Sequence, residues 1–170
     1  MIKYATPLLI SASLVLAGCA KKAPEELPPP PVDTTTPAPT PTGPTGPGYA
    51  PGSQGDFLAN TMSDRILFDT DRFNVDSQDQ LILQSQARWL AQNPNARITI
   101  EGHADERGTR DYNLALGERR ANATKNYLAS LGVSPSRMTT VSYGKERPEA
   151  LASNESAWAQ NRRAVSVVVR

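Results

Sequence analysis

"RITIEGHADERGTRDYN", Arg97 to Asn113, is the stretch on which the fold turns. Its first residues alternate, with Ile98 and Ile100 on one face, as a strand buried on one side requires. From about Asp111 the pattern becomes helical and runs to Leu131, where Gly132 supplies a stop. Between strand and helix lies a charged loop. From Glu101 to Asn113 it holds four acids, two arginines and His103, the single histidine of the chain.

Working outward, the same two periods recur. "RILF", Arg65 to Phe68, reads as a first strand. Ser77 with Gln80 three residues on has the form of a capping box. Leu83, Ala87 and Leu90 then follow at i, i+4 and i+7, and Asn93-Pro94 ends that helix. "MTTVSYG" is a third strand, "NESAWAQ" a short helix and "AVSVVV" a last strand. Strand-helix-strand units sharing one sheet predict an α+β fold, an α/β sandwich with the helices packed on one face. The folded region is expected over residues 56–170, about 115 residues, enough for one core.

The segment before it is not core material. Lys3 and the apolar run Ala5 to Leu16 precede "LAGC", Leu16 to Cys19, and a dozen apolar residues are too few to span a bilayer. The spacing resembles a bacterial lipoprotein signal, with residues 1–18 removed and Cys19 carrying the lipid. Ala20 follows where an aspartate would resemble an inner-membrane retention signal, which implies the outer membrane, facing the periplasm. Cys19 is the single cysteine, so an intramolecular disulfide is excluded. Residues 19–55 form the lipidated start and a linker. Ala23 to Ser53 contains 11 of the 15 prolines and few large apolar residues, so it cannot bury a core. At about 3.1 Å per residue it extends to roughly 90 Å.

Charge narrows the function. Lys3 is one of 18 basic residues and all 17 acids lie after Cys19, so the chain from Cys19 onward is electrically balanced. Nucleic-acid binders are strongly basic, so that class is set aside. For a metal, His103, Asp105 and Glu106 alone make a carboxylate-heavy site short of the usual zinc ligands. A nucleophilic enzyme lacks both a cysteine in the folded region and a G-x-S-x-G run. A glycosidase pair needs one acid kept protonated by an apolar pocket, whereas arginines surround these acids. Recognition fits better. Asp105 on the loop, with Asn113, Leu116 and Arg120 at i, i+3 and i+7 on the helix, puts an anion and a cation beside one small space, complementary to a zwitterion. A plain Asp105 to Arg120 ion pair bracing loop to helix fits the spacing equally well.

"GHADERGTRDYNLALGERRANATKNYL" resembles the wall-binding motif of the OmpA-like domain family. The likeness extends over the folded region, through "FD" at Phe68-Asp69 and "NRRAV" at Asn161 to Val165. The family pattern N-x2-L-S-x2-R-A-x2-V-x3-L falls on Asn113, Leu116, Gly117, Arg120, Ala121, Thr124 and Leu128, departing at Gly117 and Thr124. A mid-helix glycine costs roughly 1 kcal/mol relative to alanine, tolerable where another backbone approaches. The resemblance implies a βαβαβ core with a mixed sheet. It also implies non-covalent binding of the meso-diaminopimelate stem peptide of peptidoglycan, with Asp105 meeting the ammonium and Arg120 the carboxylate. Phe68, Asp69, His103, Asn113, Leu116 and Arg162 match positions that line or brace the site. No catalytic residue and no cofactor is implied. The implied partners are peptidoglycan, the propeller protein TolB and other Tol proteins, and the implied role is tethering the outer membrane to the wall in envelope integrity and cell division. The alternative is a lipoprotein scaffold whose main ligand is a periplasmic protein.

Overall fold

The computed structural model describes residues 48–169; the signal-like segment, Cys19 and most of the proline-rich linker lie outside them. In chain order the elements are α1 (Gln54–Asn60), β1 (Arg65–Leu67), α2 (Ser77–Gln92), β2 (Arg97–His103), α3 (Arg110–Ser130), a 3-10 turn (Pro135–Arg137), β3 (Met138–Gly144), α4 (Glu155–Asn161) and β4 (Arg163–Val169). One mixed sheet has the order β1-β4-β2-β3. β2 and β3 are parallel, as a helical crossover demands, while β4 inserts antiparallel between β1 and β2.

The core fills the space between the sheet and α2 and α3. Ile66, Ile98, Ile100 and Ala164 from the strands meet Leu83, Leu90, Ala121 and Leu128 from the helices, all 2% exposed or less. At roughly 1.5–3 kcal/mol for each fully buried large apolar side chain, these contacts dominate the stability. Among them sits Gln86, whose amide is satisfied: Nε2 donates to Ser63 O at 2.8 Å and Oε1 accepts from Ser166 Oγ at 2.9 Å. A buried amide left unpaired would be costly, so this pair also fixes α2 against β4.

Two boundaries differ from the sequence expectation. The fold begins at Ser53, not residue 56, because Ser53 caps α1 and Gln54 Oε1 accepts from the backbone of Val168 at 2.7 Å. Phe57 of that helix is fully buried, edge-on to Trp89 at 5.0 Å. The capping box of α2 is Asp76 with Asp79, one residue earlier than Ser77 with Gln80, since the Asp76 carboxylate accepts from Asp79 N at 2.8 Å.

α3 reaches the sheet closely because two glycines face one another. A Cβ on Gly102 of β2 would collide with the carbonyl oxygen of Gly117, and one on Gly117 would collide with Ser142 Oγ. The departure at Gly117 is thus the close backbone approach that makes a mid-helix glycine tolerable. It seats the start of α3 directly over the C-terminal end of β2.

Candidate functional site

The loop between β2 and α3 is tied down from several sides. Ala104 N donates to Gly144 O at 2.8 Å, Lys145 Nζ donates to the carbonyls of Glu106 and Gly108, and Asn113 Nδ2 donates to Arg107 O at 2.7 Å. Gly108 takes a positive φ of 86°, which lets the chain turn back into the Thr109 cap of α3. A loop so bonded holds Asp105 in a fixed place.

A cavity of about 280 Å³ opens beside it, lined by Thr70, Asp71, Asp105, Arg107, Gly108, Tyr112, Asn113, Leu116 and Arg120. Two carboxylates and two guanidiniums therefore surround one small volume with Leu116 as apolar wall. Asp71 stands on the turn after β1 with a positive φ of 56°, a conformation aspartate tolerates better than most residues. Its Oδ1 accepts from Tyr112 Oη at 3.2 Å.

Arg120 is fully buried and spends three of its donors on carbonyls: Nε on Arg72 at 2.9 Å, Nη1 on His103 at 2.7 Å and Nη2 on Asp69 at 3.0 Å. Its guanidinium lies over the Phe68 ring, 5.2 Å from the centroid. Burial pushes its pKa down to about 10, offset in part by Asp105, so it stays charged at neutral pH. A guanidinium has five N–H groups, so one on each terminal nitrogen is without a protein partner among the described residues.

Asp105 does not ion-pair with Arg120. Its Oδ1 accepts from the Arg107 backbone and Nε, both at 3.1 Å, and Oδ2 accepts from Arg107 Nη2 at 2.6 Å and Arg162 Nη1 at 3.5 Å. Burial pushes the carboxyl up, but the Arg107 hydrogen bonds outweigh it and hold the pKa below the ordinary aspartate value. Arg162 is itself buried and ties three elements together, donating through Nε to Phe68 O at 2.9 Å and through Nη2 to Glu155 at 2.8 Å.

Of the residues named from the sequence, Asp105, Asn113, Leu116 and Arg120 line the cavity. Phe68 and Arg162 brace it from beneath. Asp69 contributes its carbonyl to Arg120 and also borders a separate depression of about 240 Å³ with Phe68 and Arg162. His103 likewise contributes only its carbonyl. Its ring shares a sheet face with Glu101, 3.7 Å from that carboxylate, beside Tyr143, and neither ring nitrogen finds a hydrogen-bond partner among the described residues. Burial first, then the charges of Arg163, Arg147 and Arg65, lowers its pKa to about 4. Thr70, Asp71, Arg107, Gly108 and Tyr112 complete the lining and are not among the residues that the sequence singles out. The two acids of "FDTDRF" spaced two apart, and the aromatic of "DYN" one turn before Leu116, were the available signals.

Residues 67–162 match the OmpA family. The chain is 50% identical over 165 residues to the peptidoglycan-associated lipoprotein of Agrobacterium fabrum, covering 95% of this chain and 85% of that protein. To the protein of the same name from Rhizobium meliloti it is 52% identical, with 95% and 87% covered. The chain belongs to the OmpA family, among its peptidoglycan-associated lipoproteins. The crystal structure of the peptidoglycan-associated lipoprotein from Burkholderia pseudomallei superposes with a TM-score of 0.62 at 46% identity, covering 66% of this chain and 93% of that one. The C-terminal domain of Helicobacter pylori MotB, 20% identical with a TM-score of 0.58, shares the fold. Membership places the protein with binding proteins and not enzymes.

Proposed function

We propose that the protein binds the peptide stem of peptidoglycan without chemical change, through the zwitterionic end of meso-diaminopimelate. The observation that carries this reading is the pairing of acids Asp71 and Asp105 with Arg120 and Arg107 around one 280 Å³ cavity. A carboxylate accepts from an ammonium, and the two unspent N–H groups of the buried Arg120 donate to a carboxylate. Leu116 and Tyr112 flank the methylene chain between those charges. The names of the relatives support peptidoglycan as the ligand.

With that ligand, the rest of the chain reads as a tether. A lipid on Cys19 anchors it in the outer membrane, the proline-rich linker gives reach into the periplasm, and the folded region grips the wall. Service within the Tol system, with TolB as partner, and a part in cell division follow from the family resemblance. The test is sedimentation of the purified protein with washed peptidoglycan stripped of proteins. The protein is expected in the pellet and released by a diaminopimelate tripeptide. Protein that stays in the supernatant would sink the wall-binding reading and favour a protein ligand.

A further inference from the structure

We infer that Arg107 is a resident stand-in for the ligand's cation, so that ligand enters by exchanging one cation for another at Asp105. The inference rests on the zwitterion reading above and adds to it a basis for selectivity. A carboxylate offers about four lone-pair positions. At Asp105 all four are taken: Oδ1 by the backbone N and Nε of Arg107, Oδ2 by Arg107 Nη2 and Arg162 Nη1. An incoming ammonium must therefore displace a donor.

Only one donor group is free to leave. The backbone N of Arg107 is fixed by the loop, and Arg162 is 8% exposed and held by Phe68 O and Glu155. The Arg107 side chain is 39% exposed and lines the cavity. Other partners for it are already within reach: the Trp158 ring at 4.3 Å, Glu155 at 3.9 Å from Nη1 and Thr70 Oγ1 at 3.4 Å from Nη2. Trp158 is in turn held by its Nε1 donating to Glu106 at 2.9 Å.

The exchange discriminates. A zwitterion puts its ammonium on Asp105 and offers its carboxylate to the released guanidinium and to Arg120. A lysine side chain displaces the same guanidinium and gives it nothing in return. Arg107 thereby selects against simple amines without touching them.

Calorimetry on the full chain in detergent, with two tripeptides differing only in diaminopimelate or lysine at the third position, tests this. Arg107→Gln should bind the lysine peptide about fivefold tighter than wild type does, the size of an exposed ion pair relieved. The preference for the diaminopimelate peptide should shrink at least as much. Lysine-peptide affinity that is unchanged or weaker in a folded Arg107→Gln protein overturns the exchange. A crystal structure of the wild type with the diaminopimelate tripeptide decides independently of that variant's folding. Arg107 swung off Asp105 supports the exchange, and Arg107 still forked onto it refutes it. Wild type that binds neither peptide removes the zwitterion reading itself, an outcome distinct from binding without selectivity.

Discussion

Arg120 Nη1 donates to the carbonyl of His103 at 2.7 Å, which joins the middle of α3 to the last residue of β2 in the buried floor of the site. With its bonds to Asp69 and Arg72, the side chain ties the turn after β1 to the same point. Arg120 is therefore a structural tie as well as a candidate ligand.

That dual role changes what its substitution should do. Arg120→Ala leaves three carbonyls without their donor, and a buried acceptor left unsatisfied costs about 1–3 kcal/mol. Arg120→Lys restores the charge but cannot reach three acceptors from one nitrogen, so it should recover only a minor part. Urea unfolding of the two variants measures this. A loss below about 1 kcal/mol for Arg120→Ala would show that the carbonyls find water instead.

The glycine pair makes a sharper packing prediction. Gly102→Ala drives a methyl into the Gly117 carbonyl, where backbone and not a flexible side chain must yield. Overpacking of this sort destabilises by about 1–3 kcal/mol, occasionally more. Gly117→Ala meets Ser142 Oγ first and the Gly102 carbonyl oxygen next, at 2.8 Å, but gains about 1 kcal/mol of helix propensity, so its net loss should be smaller. Pairing Gly117→Ala with Ser142→Gly should recover only part of the loss in thermal melts, since the Gly102 carbonyl still meets the new methyl, while Gly102→Ala should gain nothing from Ser142→Gly.

Strands and helices were legible because their periods are simple, and the cavity's Asp105, Asn113, Leu116 and Arg120 were legible because a loop and one helix face supply them. The buried stripe of α3 carries Asn113, Gly117, Arg120 and Thr124 beside Leu116, Ala121 and Leu128. A stripe half polar hides from hydrophobic periodicity, and only the spacing and the family pattern exposed it. Partners of Asp105 were not legible. Nothing in "DERG" says that its arginine turns back onto its aspartate, since that depends on Gly108 and on Trp158 arriving from α4. The way His103 takes part was hidden for a related reason: a strand residue beside a site has a carbonyl on one side and a ring on the other, and only the carbonyl meets Arg120 here.

The buried ring of His103 predicts acid sensitivity. Its pKa falls from 6.5 to about 4 on folding, so between those values the unfolded chain binds a proton that the native chain refuses. Stability should be untouched above neutrality, decline as pH drops from about 6.5 to about 4, and cease to decline from this cause below that. The full loss is roughly 3 kcal/mol at about 1.4 kcal/mol per unit. Asp79, whose carboxyl burial raises, acts in the opposite sense near the lower end of the window. Comparing wild type with His103→Gln cancels that contribution. Unfolding free energies that fall in parallel for both proteins across this window would assign the sensitivity elsewhere.

Asp105 offers the most direct check on ligand binding. Asp105→Asn keeps the side chain's shape and removes the charge that an ammonium needs. Hydrogen bonds to charged groups contribute roughly 1.5–3 kcal/mol, so affinity for a diaminopimelate tripeptide should drop about ten- to 150-fold. The fold should survive, because Arg162 keeps Phe68 O and Glu155 as partners. Because hydrogen bonds from Arg107 hold the Asp105 carboxyl below the ordinary aspartate value, the wild-type site remains ionised through mildly acidic solution. Wild-type affinity should therefore stay level from neutral pH down to the ordinary carboxylate range and decline only beneath it. A wild-type affinity that already falls between pH 7 and about 5 would point to a histidine-range group, since unperturbed aspartates titrate lower. Full-strength binding by Asp105→Asn would remove Asp105 from the site altogether and leave Asp71 as the remaining acid of the cavity.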